Sequence, residues 1–189
     1  MDNLGDGVKM KKMKISFMGG KQAGCIGLLS LYSVGCSLLA VVAYDEHVNA
    51  LAKRLNLPTF SSIHDNKFID LVKESDLLVS VHGREIVPID ILKIPAIGCI
   101  NAHPCLYKYK GADPVGKLLK DNSTKASVGV HYMVEKVDAG EVIVEKFVDV
   151  SGKNTVVEVY NELYPYYALA ILEAIDKIQT GVLSHDKQN

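Results

Sequence analysis

The chain has 189 residues, is 48% apolar and 23% charged, and carries a formal net charge of −1. That is enough chain for one domain with a substantial core, and too apolar a chain for intrinsic disorder. A charge so near zero gives no global field for nucleic acid, and no apolar run reaches the roughly 18 uncharged residues of a membrane span.

The opening MDNLGDGVKMKKMKIS lacks the continuous apolar stretch of a signal peptide, so a cytoplasmic location is expected, with residues 1–12 as a flexible lead. One domain is expected over 13–180, followed by a loose tail at 181–189. MKISFMG (Met13–Gly19) reads as a buried strand, and GCIGLLSLYSVG as a helix bounded by Gly24 and Gly35. SLLAVVAY (Ser37–Tyr44) is the next strand. Val48, Leu51, Ala52 and Leu55 then recur at helical spacing. NKFIDLVKES is a short helix, and DLLVSVHG and AIGCINAH are strands. This alternation predicts an α/β fold, a Rossmann-like, mostly parallel sheet with helices on both faces. Beyond Gly111 the pattern changes. PVGKLLKDN reads as helix, and ASVGVHYMV and EVIVEKFVDV as an antiparallel pair joined through VEKVDAG. A long amphipathic helix closes the chain, with a bend expected near Pro165.

The cysteines Cys25, Cys36, Cys99 and Cys105 have neither CxxC nor metal-ligand spacing, so free thiols and no metal are expected. Cys105 as a nucleophile beside His103 competes with Cys105 as a small residue after a turn. FMGGKQAG (Phe17–Gly24) opens a helix after a strand, where backbone N–H groups favour an anion. Gly20 and Lys21 are therefore candidate substrate contacts, against a plain tight turn. The loop lacks the GxGxxG dinucleotide spacing, although Asp45 and Glu46 keep that reading open.

The clearest chemistry lies in CINAHPCLYKYKGADP (Cys99–Pro114). Asn101 and His103 are two apart on a strand, so an amide donor and an imidazole face one volume at the strand's C-terminal end. Asp138 lies at the tip of a later connection, where its carboxylate can reach a histidine on the sheet. An amide, a histidine and a carboxylate suit acyl transfer: one donor for the oxyanion, one proton carrier, and one anion that orients the ring and raises its pKa. No GxSxG serine is present, so direct transfer to an incoming nucleophile is expected. Lys108, Tyr109 and Lys110 are candidate phosphate clamps, or a solvated loop. Arg84 and Glu85 pair with each other, face ligand, or are simply solvated.

GCINAHPCLYKYKGADPV closely resembles the central motif of the formyltetrahydrofolate-dependent formyltransferases, Asn-x-His-x-Ser-Leu followed by a basic loop, with Cys105 in place of the serine. GVHYMVEKVDAGEVI, with His131 at the familiar histidine position, and HGREIVPIDILKIP are similar to two further family segments. The resemblance implies that Asn101, His103 and Asp138 are catalytic and that 10-formyltetrahydrofolate is the donor. It implies folate contacts from Gly83, Arg84, Ile86, Val87 and Val137. Partners would be folate and a small amine, with no nucleic acid or membrane. The chain's length and charge weigh against the tRNA branch. The first loop reads Gly-Gly-Lys-Gln, where the glycinamide ribonucleotide branch has Gly-Ser-Asn. An amino sugar on a nucleotide carrier is the expected acceptor, with glycinamide ribonucleotide as the runner-up. A formyltetrahydrofolate hydrolase and a non-catalytic folate-binding or regulatory protein are competing classes. Tyr32, Tyr160, Tyr164, Tyr166 and Tyr167 form a homodimer face, stack on an acceptor base, or pack half-buried.

Overall fold

The computed structural model describes residues 12–181. The expected lead and tail lie, but for residues 12 and 181, outside the described residues. Seven strands form one sheet in the order β3-β2-β1-β4-β5-β6-β7. They are β1 (Lys14–Gly19), β2 (Ser37–Ala43), β3 (Thr59–Phe60), β4 (Leu77–Val81), β5 (Gly98–Pro104), β6 (Lys125–Tyr132) and β7 (Val142–Asp149). Pairing is parallel from β3 to β5 and antiparallel from β5 to β7. This is the α/β, Rossmann-like architecture with an antiparallel C-terminal part. The chain leaves β1 towards β2 and returns on its other side at β4, which opens a crevice at the carboxyl ends of those strands.

Six helices accompany the sheet: α1 (Lys21–Ser33), α2 (Glu46–Arg54), α3 (Asn66–Lys73), α4 (Ile89–Leu92), α5 (Pro114–Lys120) and α6 (Val156–Gln179). β3 and α4 are too short for any periodicity to announce them. Helix α1 starts at Lys21, three residues ahead of the glycine expected to bound it. Gly24 and Gly27 lie inside the helix because α1 packs tightly there. A Cβ on Gly27 would stand 2.8 Å from Val81 Cγ2, and one on Gly24 3.1 Å from the Gly19 backbone. Helix α6 runs unbroken through Pro165, capped by a Thr155–Glu158 box. Its stripe of Val159, Leu163, Tyr167, Ala170, Ile171, Ala174 and Ile175 is buried, which outweighs the one backbone bond that proline removes.

Strand alternation divides the core in two. Ile15, Phe17, Val79, Val81, Ile100 and Ala102 face α1 and α6. Met18, Ala40, Val42, Leu78 and Cys99 face α3 and α4 with Phe68, Val72 and Ile91. The second set of helices reaches no further than Cys99, at the start of β5. Over β5 and β6 that face carries polar residues instead, and the candidate site lies there.

The β6–β7 connection is pinned where Gly140 crosses Tyr132. A Cβ at Gly140 would meet the Tyr132 carbonyl oxygen at 1.8 Å. Gly140→Ala is expected to cost about 1–3 kcal/mol, as overpacking against a rigid neighbour does. A urea midpoint equal to wild type would show that the connection yields instead.

Candidate active site

Adjacent strands put polar side chains in a row on the uncovered face. Ser80 of β4 pairs with Asn101 of β5, and Asn101 with His131 of β6. His103, two residues on, shares that face. Asp138 arrives from the β6–β7 connection with a left-handed backbone, φ +52.

Two imidazoles and a backbone N–H converge on the Asp138 carboxylate. His103 Nε2 lies 3.2 Å from Oδ2, and His131 Nε2 3.4 Å from Oδ1. The Gly111 N–H donates to Oδ2 at 2.7 Å. Gly111 also turns its carbonyl to His103 Nε2 at 3.2 Å; its φ of +76° is one that glycine adopts freely. Facing two acceptors, His103 Nε2 carries the proton. His103 Nδ1 is buried without a partner. His131 donates from Nδ1 to the Tyr132 carbonyl at 2.8 Å, and its Nε2 is 3.5 Å from Asn101 Nδ2. His131 is thus a fourth member of the cluster, signalled in the sequence only by the GVHY segment.

Burial pushes the Asp138 carboxyl up, but the His131 hydrogen bond, the His103 charge and the Gly111 N–H together hold it down to about 2. For His103 burial wins. Its pKa falls below the usual imidazole value although Asp138 and the Gly111 carbonyl push upward. The expectation that Asp138 would raise this histidine is therefore corrected: its effect has the expected sign and is outweighed by desolvation. The resting pair is a neutral ring beside a carboxylate, ready to accept one proton and stabilise it.

The cluster separates two cavities. One, of about 390 Å³, is walled by Gly83, Arg84, Ile86, Val87, Leu92, Met133, Val134 and Val137. All five residues expected to meet the folate line it. The other, of about 400 Å³, is lined by Lys21, His82, Pro104, Asp113, Val156 and Tyr160. Gly83, Asn101, His103, Gly111 and Ala112 border both.

Other candidates lie elsewhere. Lys108 is paired with Asp121 at 3.0 Å, and the Tyr109 hydroxyl donates to the same carboxylate at 3.0 Å. Lys110 is exposed and offers its carbonyl to Lys117 Nζ at 3.0 Å. None of the three borders either cavity, because the turn closed by Tyr109 N–H on the Cys105 carbonyl sends the loop towards α5. Gly20 caps α1 without lining a cavity, its Cα close to Asp45 and the His82 carbonyl. Asp45 caps α2 and also accepts from the Lys21 N–H at the start of α1. Burial pushes its carboxyl up, and the N–H groups of Lys21, Val48 and His47 hold it below the usual range.

Glu85 does not pair with Arg84. It accepts from Tyr44 Oη at 2.8 Å, Ser62 Oγ at 2.6 Å and the Ile63 N–H at 3.1 Å, tying the cavity loop to the ends of β2 and β3. Burial raises the Cys105 thiol to about 11, too high for a nucleophile at neutral pH. Tyr160 borders the second cavity, Tyr167 is in the core, and Tyr32 is 51% exposed. Among the described residues no helix is long and apolar enough to cross a membrane, and no three His, Cys, Asp or Glu side chains are placed to hold a metal ion.

A carboxyl held near 2 in the fold and near 3.9 unfolded contributes about 2 kcal/mol above the unfolded value, lost as pH falls through the folded one. Asp138→Asn should therefore be less stable than wild type in urea at pH 7. Roughly half of the ionisation part of that gap should be gone by pH 3. A gap independent of pH would contradict the assignment.

Residues 42–175 match the formyl transferase family. A methionyl-tRNA formyltransferase from Clostridioides difficile (strain 630) is 29% identical over 194 residues, covering 94% of this chain and 63% of that protein. The phosphoribosylglycinamide formyltransferase structure from Anaplasma phagocytophilum shares the fold with a TM-score of 0.77 at 19% identity, covering 90% of this chain and 88% of that one. The formyltetrahydrofolate deformylase structure from Pseudomonas syringae pv. tomato does so with a TM-score of 0.78 at 18% identity, covering 93% and 64%. The chain thus spans less than two thirds of the first relative's length, and it belongs to the formyl transferase family.

Proposed function

We propose that this chain transfers the formyl group of 10-formyltetrahydrofolate to the amine of a small substrate, a nucleotide-linked amino sugar, in the cytoplasm. The observation that carries this reading is the position of Asn101 and His103, with Asp138 behind them, on the border of two cavities. The mostly apolar cavity suits the flat pterin, and the polar one suits an amine-bearing acceptor. In this mechanism the amine attacks the formyl carbon directly. Asn101 Nδ2 donates to the oxyanion of the tetrahedral intermediate, and His103 does so once it has taken up the amine proton. The amine proton passes to the His103–Asp138 pair and returns to the folate N10 as the carbon–N10 bond breaks, releasing tetrahydrofolate.

The Asp45 carboxylate already meets the first N–H of α1. That N–H is not free for an acceptor phosphate, and the loop lacks the Gly-Ser-Asn of the glycinamide ribonucleotide branch, which favours the amino sugar over that acceptor. The similarity to a methionyl-tRNA formyltransferase favours a second reading, an aminoacyl group on tRNA as acceptor.

The deciding experiment is calorimetric titration with 5-formyltetrahydrofolate, followed by an acceptor screen that reads tetrahydrofolate release. Saturable binding and turnover with a nucleotide amino sugar support the proposal. Turnover with methionyl-tRNA or glycinamide ribonucleotide replaces the acceptor, binding without turnover favours a folate-binding protein, and no binding at millimolar ligand sinks the transfer reading. His103→Ala and Asp138→Asn should each slow transfer by about 10²–10⁴-fold while still saturating with folate; wild-type rates from both would refute the mechanism. Glu85→Ala, which frees the cavity loop, should raise the folate Kd about tenfold, or about 1.4 kcal/mol, with partial recovery in Glu85→Gln. An unchanged Kd would mean that the loop holds its shape without the carboxylate.

A further inference from the structure

Immediately after β4, His82 takes a left-handed backbone, φ +55. That conformation is costly for a residue with a Cβ, so tertiary contacts must hold it. The ring supplies them. His82 Nε2 lies 3.1 Å from the Tyr167 hydroxyl, and the ring packs on Tyr160 and Tyr167 with centroids 5.4 and 5.9 Å away. Tyr167 is fully buried in α6, where a hydroxyl needs a partner, and His82 is that partner.

The other ring nitrogen has no such bond. Among the described residues, His103 Nδ1 is the one buried side-chain N or O atom without a partner. His82 Nδ1, for which no hydrogen bond is found, is therefore not fully buried, and His82 lines the second cavity. Burial first, then Lys21 and His103, pushes the His82 pKa down to about 4. The ring is neutral at pH 7 and offers one donor or acceptor without charge. An anionic group would go to the Lys21 ammonium on the same wall. Tyr160, stacked on Tyr164 with centroids 6.1 Å apart, adds a flat apolar surface.

We propose that His82, held from behind by Tyr167, hydrogen-bonds through Nδ1 to a hydroxyl beside the reactive amine and so selects hydroxylated amines over bare ones. The proposal rests on the transfer reading above and adds a specificity-determining residue to it. Tyr167 is its positioning residue.

The test uses the full chain labelled with ¹⁵N-histidine, with glucosamine and cyclohexylamine as probes, added after saturation with 5-formyltetrahydrofolate. His82 signals are assigned by their loss in His82→Asn, a variant that tolerates the left-handed backbone. Folate should move the His103 and His131 signals. Glucosamine should then move His82 saturably, and cyclohexylamine should not. Tyr167→Phe should show His82 as mixed tautomers and bind glucosamine at least fivefold more weakly, a change that a purely structural role would not produce in a folded protein. In transfer assays His82→Asn should lose the preference for glucosamine through KM rather than kcat. Equal responses to both amines, or a His82 signal that glucosamine leaves unmoved, would overturn the proposal. Movement of His82 by glucosamine without any folate response would instead sink the transfer reading and leave the His82 site standing.

Discussion

A carboxylate that is 7% exposed must be surrounded by donors or lose its charge. Asp138 is surrounded, and the arrangement of the donors determines the site. His103 comes from β5, His131 from β6, and the Gly111 N–H from the loop beyond β5. One side chain therefore ties two strands, a loop and its own connection together. Breaking one contact leaves a buried charge short of a partner, so the cluster holds or fails as a unit. Rigidity at this point has a chemical use. A ring that is to pass a proton at a fixed angle can do so only if it does not swing.

Two histidines of the site, His103 buried and His82 half-buried, are both neutral at pH 7, and for the same reason. Desolvation lowers His103 and His82 alike. What differs is the company each keeps. His103 has a carboxylate at 3.2 Å, so a proton that arrives is stabilised. His82 has a phenol at 3.1 Å and the Lys21 charge across the cavity, so a proton is resisted. The first suits proton transfer and the second suits hydrogen bonding.

Much of this was legible in the chain, because strand parity is a strong rule. Asn101 and His103 had to share a face once AIGCINAH was a strand, and the parallel-then-antiparallel order followed from the change of pattern at Gly111. Asp138 was visible as a carboxylate at the tip of the VEKVDAGEVI connection, within reach of the sheet, and the resemblance to a known segment singled it out from an ordinary turn aspartate. Loop directions were not legible. Lys108, Tyr109 and Lys110 form a basic run, but the left-handed backbone at Cys105 turns Tyr109 into the core beside Asp121. Glu85 depends on partners 41 and 23 residues away, and nothing local could choose them over Arg84. His82 was hidden for the same reason, because its meaning depends on Tyr167 in the last helix.

The two cavities beside the cluster differ in what lines them. The first is mostly apolar, with Ile86, Val87, Leu92, Met133, Val134 and Val137 in its wall beside Arg84 and Glu135. The opposite cavity carries Lys21, His82, Asp113 and Tyr160. Behind its entrance Asp45 has taken an N–H of α1 that a ligand anion could otherwise use. A helix N-terminus attracts one negative group at close range, and here part of that attraction is already satisfied from within. What remains for an acceptor is a lysine on a movable stem, a neutral ring nitrogen, a carboxylate and an aromatic face. Such a set distinguishes molecules by where their hydroxyl and amino groups lie more than by how much charge they carry. The fold is shared with a phosphoribosylglycinamide formyltransferase and a formyltetrahydrofolate deformylase, so what sets this chain's chemistry apart is to be sought in the side chains of that wall.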